Sequence, residues 1–329
     1  MSFRICTIGC GAVSNSQHGP SFKRYAAVYD DVVLAACCDI DAQRAASYME
    51  YHGFCEYYTD MHEMLGAVKP DAVCLIAPVE ITADLTCAIL EMGYPLILEK
   101  PPGANASETR HMMKMAEATG TSNMVAFNRR FMPLVQKSME IIAQKGSKIL
   151  DIHYRMVRHN RQDEQFATTA IHGIDLVKYM ARADYKQVDF KYRDLPEYGK
   201  NVANFFLSCE MENGAVAHLE FLPMSSINTE RIAVNTDKGL IELHLPIWNG
   251  CPDGVGKLAC YEDGEEVLAI SGADVSGTSE DYVLAGFYGE NAYFFDTVRS
   301  GRKPEGDIAS GLQAVEIADC ITARKRHYP

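Results

Sequence analysis

The first half of the chain alternates between two hydrophobic patterns. Short runs are apolar throughout: Phe3–Ile8, Val32–Asp39, Ala72–Ile76, Pro95–Leu98 and Met124–Phe127. They show no period of two, as expected of strands buried on both faces in a parallel sheet. Between them the period lengthens. Ile81, Leu85, Ile89 and Met92 recur at helical spacing until Gly93 stops the run. Asn105 with Glu108 gives a capping-box-like start ahead of Met112, Met113 and Ala116. Strand–helix alternation of this kind predicts βαβ units in a doubly wound sheet.

Beyond Asn128 the pattern changes. Phe205–Met211 and Ala215–Leu222 flank Asn213-Gly214, a hairpin turn signal. Ile232–Asn235 and Leu240–Leu243 flank Asp237-Lys238-Gly239, and Leu258–Tyr261 and Val267–Ile270 flank a loop with Asp263-Gly264. Three successive hairpins predict an antiparallel sheet. Helical stretches around Ala170–Met180 and Ile308–Ala323 interrupt and close this half, the last with Ile308, Leu312, Val315 and Ala318 on one face. The expected fold class is α/β. An N-terminal Rossmann-type, doubly wound parallel sheet covers residues 1–127. A C-terminal α+β domain with a large, mostly antiparallel sheet covers 128–329, and its last helix is free to pack back on the first domain. No Pro-, Gly- or Ser-rich linker separates the two.

Composition adds exclusions. With 47% hydrophobic and 23% charged residues over 329 positions, the chain can fill a globular core. Its 44 acids against 31 bases leave a net charge of −13, which repels phosphate backbones and argues against nucleic acid. No apolar run reaches the roughly 18 residues of a membrane span. The first residues enter a strand pattern without the layout of a signal peptide, so a cytoplasmic location is the expectation. Eleven cysteines lie mostly in apolar stretches with no Cys-x-x-Cys among them, which predicts buried, reduced thiols. His153 and His159 show no ligand spacing along the chain, and no metal is expected.

The candidate chemistry starts at the end of the first strand. Gly9-Cys10-Gly11-Ala12-Val13-Ser14 reads G-x-G-x-x-S, a dinucleotide fingerprint with serine at its third small position. Gly9 permits the tight turn, Gly11 lets a pyrophosphate approach the backbone, and the N–H groups of the following helix, from Ala12 and Val13 onward, face the phosphates. The second strand ends in Asp39, somewhat beyond the usual spacing of about 20 residues, and an acid there accepts from an adenosine ribose. A carboxylate repels a 2′-phosphate, so NAD is preferred over NADP. Arg44 can soften that preference, although a solvated helix charge is its simpler role. Lys100, in Glu99-Lys100-Pro101, sits at the carboxyl end of a strand, the edge where ligands of open α/β sheets bind. His172 and Asp175 lie three apart on one helix face, and a neutral histidine is the usual base for an alcohol proton near neutral pH. A buried structural histidine paired with Asp175 fits the same spacing. Arg155, Arg158, Asn160 and Arg161 follow the first strand of the second half and suit either an anionic sugar or a solvated strand end.

In order, Gly9-x-Gly11 with His18 beyond it, Asp39, Glu99-Lys100-Pro101, Phe127-Asn128-Arg129-Arg130-Phe131 and His172-x-x-Asp175 resemble the glucose-fructose oxidoreductase, inositol dehydrogenase and rhizopine-catabolism family, usually called Gfo/Idh/MocA. Gly286–Pro304 resembles its late helix and Ser-Gly-Arg-x-Pro ending, so the resemblance covers nearly the whole chain. It implies a Rossmann domain and a substrate-binding C-terminal domain whose large open sheet commonly forms the interface of a homodimer or homotetramer. It also implies NAD(P)-dependent oxidation of sugars, cyclitols and related polyols. Lys100 would contact the substrate hydroxyl and nicotinamide ribose, and His172 would be the acid/base. Asp175 would hold a substrate hydroxyl, with Asn128 and Arg130 near the sugar pocket. Glu99 and Pro78 would border the cofactor.

Two departures bear on this. Thr168 stands where many catalytic members carry Asp or Asn four residues before the histidine, so the group that would orient the imidazole is replaced by a hydroxyl. Ala77-Pro78-Val79 replaces the common Thr-Pro-Asn, and Thr82 stands in place of a histidine. Three readings follow. The first is net oxidation of a secondary hydroxyl. The second is transient oxidation on retained NAD with net cleavage or epimerisation. The third is a non-catalytic NAD-binding regulator.

Overall fold

The structure, a computed structural model, describes residues 2–162, 166–247, 252 and 254–329. The chain divides into two compact units: residues up to Asn128 together with Phe287–Leu312, and Arg129–Gly286 together with Gln313–Pro329.

The first unit opens with β1 (Phe3–Ile8), a π-helical turn at Ser14–His18 that runs into α1 (Gly19–Val28), and β2 (Val32–Cys38). It continues through α2 (Ala42–His52), β3 (Glu56–Tyr58), α3 (Met61–Val68), β4 (Ala72–Leu75), α4 (Val79–Glu91), β5 (Leu96–Glu99), α5 (Ala106–Thr119) and β6 (Asn123–Ala126). All six strands pair in parallel, in the order β3-β2-β1-β4-β5-β6. This is the doubly wound order, and its switch point lies between β1 and β4. β4 and β6 are buried at every position, which explains the apolar runs Ala72–Ile76 and Met124–Phe127. β3, short and largely exposed, carries no such run and gives no strand signal in the sequence.

α4 corrects one expectation. The helix forms, but its buried residues are Thr82, Thr86, Cys87, Ile89 and Leu90, while Ile81 is 48% exposed. The face is rotated because the Thr82 hydroxyl donates to the Pro78 carbonyl at 3.0 Å, which makes a threonine fit for burial. Asn105 caps α5 as expected, accepting from the Glu108 N–H at 3.0 Å.

The second unit starts at Arg129, inside a 3₁₀ turn over Asn128–Phe131, and continues with α6 (Pro133–Lys145), β7 (Ile149–His159), α7 (Ala167–Ala181) and β8 (Tyr185–Asp194). Then follow β9 (Ala203–Met211), β10 (Val216–Ser225), β11 (Thr229–Thr236), β12 (Gly239–Leu245), β13 (Lys257–Glu262), β14 (Glu265–Ser271), α8 (Gly272–Ser276) and α9 (Asp281–Leu284). α10 (Phe287–Arg299) belongs to the first unit. α11 (Ile308–Thr322) is divided after Leu312, and β15 (His327–Tyr328) ends the chain in the second unit. The three expected hairpins are present as β9–β10, β11–β12 and β13–β14. The nine-stranded order is β14-β13-β12-β11-β7-β10-β9-β8-β15. Its pairs are antiparallel except β7 with β10, which run parallel at the centre of the sheet. α6 and α7 pack against one face, where Ile152, Tyr154, Leu219, Phe221, Ile232 and Leu243 are buried. β7 runs on to His159, so Arg155 and Arg158 stand within the strand and not after it.

In the first unit α10 packs on α1: Tyr25 donates to Asp296 at 2.7 Å, and Phe22, Tyr25 and Phe295 form one aromatic cluster. Among the described residues all cysteines are free, and all but Cys55 are buried; Cys251 lies outside them. No described helix is long and apolar enough to cross a membrane.

The second unit is organised around a buried charge. Glu230 on β11 is fully buried and accepts from Arg129 Nε at 2.7 Å and Nη2 at 2.6 Å, from Tyr154 at 2.9 Å, and from Arg158. Burial pushes its carboxyl up, but the Arg129 charge and then that of Arg158 bring it down to about 2. Its stabilisation is therefore present in full above about 4.3, the unfolded glutamate value. It is lost as the pH falls through 2, a difference of roughly 3 kcal/mol. Glu230→Gln should cost about 3–5 kcal/mol at neutral pH by leaving buried arginine charge uncompensated. It should also flatten the acid limb of the stability–pH curve, as read from urea denaturation at a series of pH values.

Candidate functional site

The turn after β1 is built for close approach. Gly9 has φ +96°, and a Cβ there would lie 1.9 Å from the Ile76 carbonyl oxygen, so no side chain fits. At Gly11 nothing lies within 4 Å of the position a Cβ would take, which leaves the backbone approachable from outside. The chain is helical from Ala12, and Val13 is 47% exposed at this end. Ser14 is fully buried with its hydroxyl 3.0 Å from that of Tyr48, the small-residue packing the third fingerprint position requires.

Asp39 follows β2 beside this turn. It accepts from the Cys10 N–H at 2.9 Å and the Asp41 N–H at 3.0 Å. Arg44 is not a merely solvated charge: its guanidinium donates to Asp39 at 3.2 Å and lies 3.5 Å from Asp41. The helix geometry supplies the reason, because Asp41 caps α2 and turns Arg44 back toward the strand end. A cleft of about 560 Å³ opens here, lined by Cys10, Asn15, Asp41, Arg44, Tyr48 and Tyr51. An unobstructed glycine backbone, a helix start and a strand-end carboxylate beside a cleft have the chemistry to hold a dinucleotide.

At the end of β5, Glu99 joins a buried hydrogen-bonded chain. The Asn291 amide nitrogen faces two acceptors, the Phe287 carbonyl at 2.7 Å and His18 Nδ1 at 3.1 Å. Accepting at Nδ1 puts the His18 proton on Nε2, which donates to Glu99 at 2.9 Å. The other Glu99 oxygen accepts the Lys100 N–H at 3.0 Å. Burial alone would raise the Glu99 carboxyl, but the His18 hydrogen bond and the Lys100 charge hold it below its usual value. Lys100 is half-buried and joined to Pro101 by a cis peptide bond. Pro78 stands at the N-terminus of α4, its carbonyl taken by Thr82. Asn128, at the end of this unit, is 1% exposed.

In the second unit, α7 carries Thr168, His172 and Asp175 on one face, with His172 5% and Asp175 1% exposed. Asp175 is gripped by Arg130: both its oxygens accept from the guanidinium, Nε at 2.7 Å to one and Nη2 to the other. Arg130 also lies over the Tyr179 ring. Gly173 explains how α7 comes so close to the sheet, since a Cβ there would meet the Tyr154 ring at 2.2 Å. Sequence reasoning gave no role to Tyr154 and Glu230 and did not join Arg129 or Arg158 to them, because the partners lie up to 101 residues apart and charged residues read as solvated.

Residues 3–127 match the model of an oxidoreductase family with an NAD-binding Rossmann fold, Gfo/Idh/MocA. By this match the first domain is similar to those of the Gfo/Idh/MocA oxidoreductases. D-glucoside 3-dehydrogenase of Escherichia coli K12 is 31% identical over 128 residues, 39% of this chain and 35% of that protein. The chain thus spans about a third of that relative. 4-Carboxy-2-hydroxymuconate-6-semialdehyde dehydrogenase of Sphingobium sp. SYK-6 is 24% identical across 95% of this chain and 96% of its own length. The fold of the whole chain is that of solved structures such as levoglucosan dehydrogenase in complex with NADH and levoglucosan. That structure has a TM-score of 0.82 at 17% identity and covers 100% of this chain and 99% of the other. Residues 3–127 thus match an NAD-binding Rossmann fold, and both sheets have the fold of these solved structures.

Two outcomes test these local arrangements. Gly173→Ala should push α7 off Tyr154 at a cost of about 1–3 kcal/mol, seen as a lower urea midpoint. His18→Phe removes the donor to Glu99 and should cost about 1–3 kcal/mol. Because the folded Glu99 carboxyl is depressed, that difference should be present in full above about 4.3 and shrink as pH falls below it.

Proposed function

We propose that the chain is an NAD-dependent dehydrogenase that transfers a hydride between nicotinamide and a secondary hydroxyl of a sugar, cyclitol or related polyol. The observation that carries the reading is the turn at Gly9–Gly11 with Asp39 beside it, on a domain of an oxidoreductase family. The substrate class is supported by the relatives named for a D-glucoside and for levoglucosan. NAD is favoured over NADP because a 2′-phosphate would meet Asp39 and Asp41, while Arg44 is already engaged by both.

When bound, the nicotinamide supplies the hydride acceptor. The remaining work falls to the chain. Lys100 brings positive charge to the developing alkoxide, and the Asn291–His18–Glu99 chain fixes the strand end that carries it. His172 takes the hydroxyl proton as a neutral imidazole. Thr168, one turn before it, offers a hydroxyl where an acid would hold the ring more strongly. Asp175 and Arg130 act as one unit: with both carboxylate oxygens already bonded, contact with substrate hydroxyls falls to Arg130, 12% exposed, beside Asn128.

The test is the reduced-nicotinamide absorbance of the purified protein with excess NAD and a panel of sugars and cyclitols. Accumulation with one of them is the expected result. Lys100→Met should lower turnover by about 10²–10³ with NAD affinity retained, and unchanged turnover overturns its role. NAD should bind roughly tenfold or more tightly than NADP, with the preference relaxed in Asp39→Ala. Cofactor that survives purification yet never accumulates in reduced form directs the reading to transient oxidation on retained NAD.

A further inference from the structure

The face of the nine-stranded sheet opposite α6 and α7 is polar. At its centre, across the parallel junction of β7 and β10, His153 stands in register with His218. Their rings lie 4.8 Å apart, centroid to centroid. Asp151, two residues before His153 on β7, projects from the same face, with its Oδ2 3.8 Å from His153 Nε2. One donor atom from each of the three lies within 4.8 Å of the others.

We propose that Asp151, His153 and His218 form a binding site for a divalent first-row transition ion of the zinc class. The donor set selects the ion. Two imidazoles and one carboxylate suit zinc, cobalt, nickel or copper, whereas magnesium and calcium take oxygen donors. An ion about 2.0–2.2 Å from each donor needs these atoms somewhat closer than they stand. The histidines can supply the movement: His153 is 60% exposed, and neither ring is fixed by a further hydrogen bond among the described residues. Asp151 is already oriented, since Asn235 on β11 donates to its Oδ2 at 3.3 Å, the outer support that carboxylate ligands commonly receive. The neighbouring charge does not oppose a cation, because Arg155, next on this face of β7, is paired with Glu220 at 3.1 Å.

Three protein ligands leave the remaining coordination open. A cleft of about 440 Å³, lined by His153, Arg155, Glu220, Arg231, Glu242 and His244, adjoins that opening. The ion would tie the two parallel strands together and present a Lewis-acidic position to the cleft. The site uses none of the dinucleotide-turn or α7 residues, and it does not depend on the activity proposed above. Spacing along the chain could not reveal it, because the second imidazole comes from a different strand.

The experiment uses the full chain, stripped with EDTA and titrated with Co²⁺ and then Zn²⁺, read by the cobalt visible absorption and by calorimetry. One Co²⁺ per chain, displaced by Zn²⁺ and showing no thiolate charge-transfer band, is the expected result. His153→Ala and His218→Ala should each weaken binding by about tenfold or more, as should the conservative Asp151→Asn. His159→Ala, on the same strand, should leave it unchanged. Circular dichroism of each variant checks folding. Absence of saturable binding at ion concentrations up to about 100 μM, some −5 to −6 kcal/mol of affinity, overturns the proposal. So does undiminished binding in the His153→Ala/His218→Ala double variant.

Discussion

A single carboxylate with no access to water sets the geometry of the second unit. Glu230 brings together Arg129 from the start of that unit, Tyr154 and Arg158 from β7, and its own strand β11. Tyr154, so held, is the surface against which Gly173 lets α7 settle. The position of His172, next to Gly173 on α7, therefore follows from that ion cluster. An apolar group of equal volume could fill the same space at no loss of stability. What the cluster adds is direction, because a guanidinium fork and a carboxylate meet in one plane and one register.

The first unit uses a smaller version of the same device. Asn291, His18 and Glu99 form a line of hydrogen bonds that ends on the Lys100 backbone. Each member fixes the next: the amide selects the imidazole tautomer, and the imidazole fixes the carboxylate. The chain spends buried polar groups where a strand end has to be held still, and fills the rest of the sheet with aliphatic side chains.

How much of this could be read beforehand depended on the range of the interaction. Strands buried on both faces announce themselves as apolar runs, and the hairpins by Asn213-Gly214 and Asp263-Gly264, because the causes lie within a few residues. β3 escaped notice because an exposed edge strand needs no apolar face. The face of α4 was misplaced because Thr82 satisfies its hydroxyl on its own backbone. Gly9, Gly11, Asp39, Lys100 and His172 stand out as residue types in a setting. Their partners do not: Arg44 on Asp39, Arg130 on Asp175 and His18 on Glu99 are choices made by the folded chain among many charged and polar side chains.

The first unit is discontinuous, and this has a consequence for how the protein is made. Its aromatic cluster needs Phe295, and its His18–Glu99 line needs Asn291, both supplied by α10. A chain emerging from the ribosome displays the six parallel strands long before α10 has been synthesised. The nascent Rossmann sheet must wait, incompletely packed, while β7 to β14 of the second sheet are translated. Domains that emerge first generally fold first; here the first to appear is among the last that can be finished.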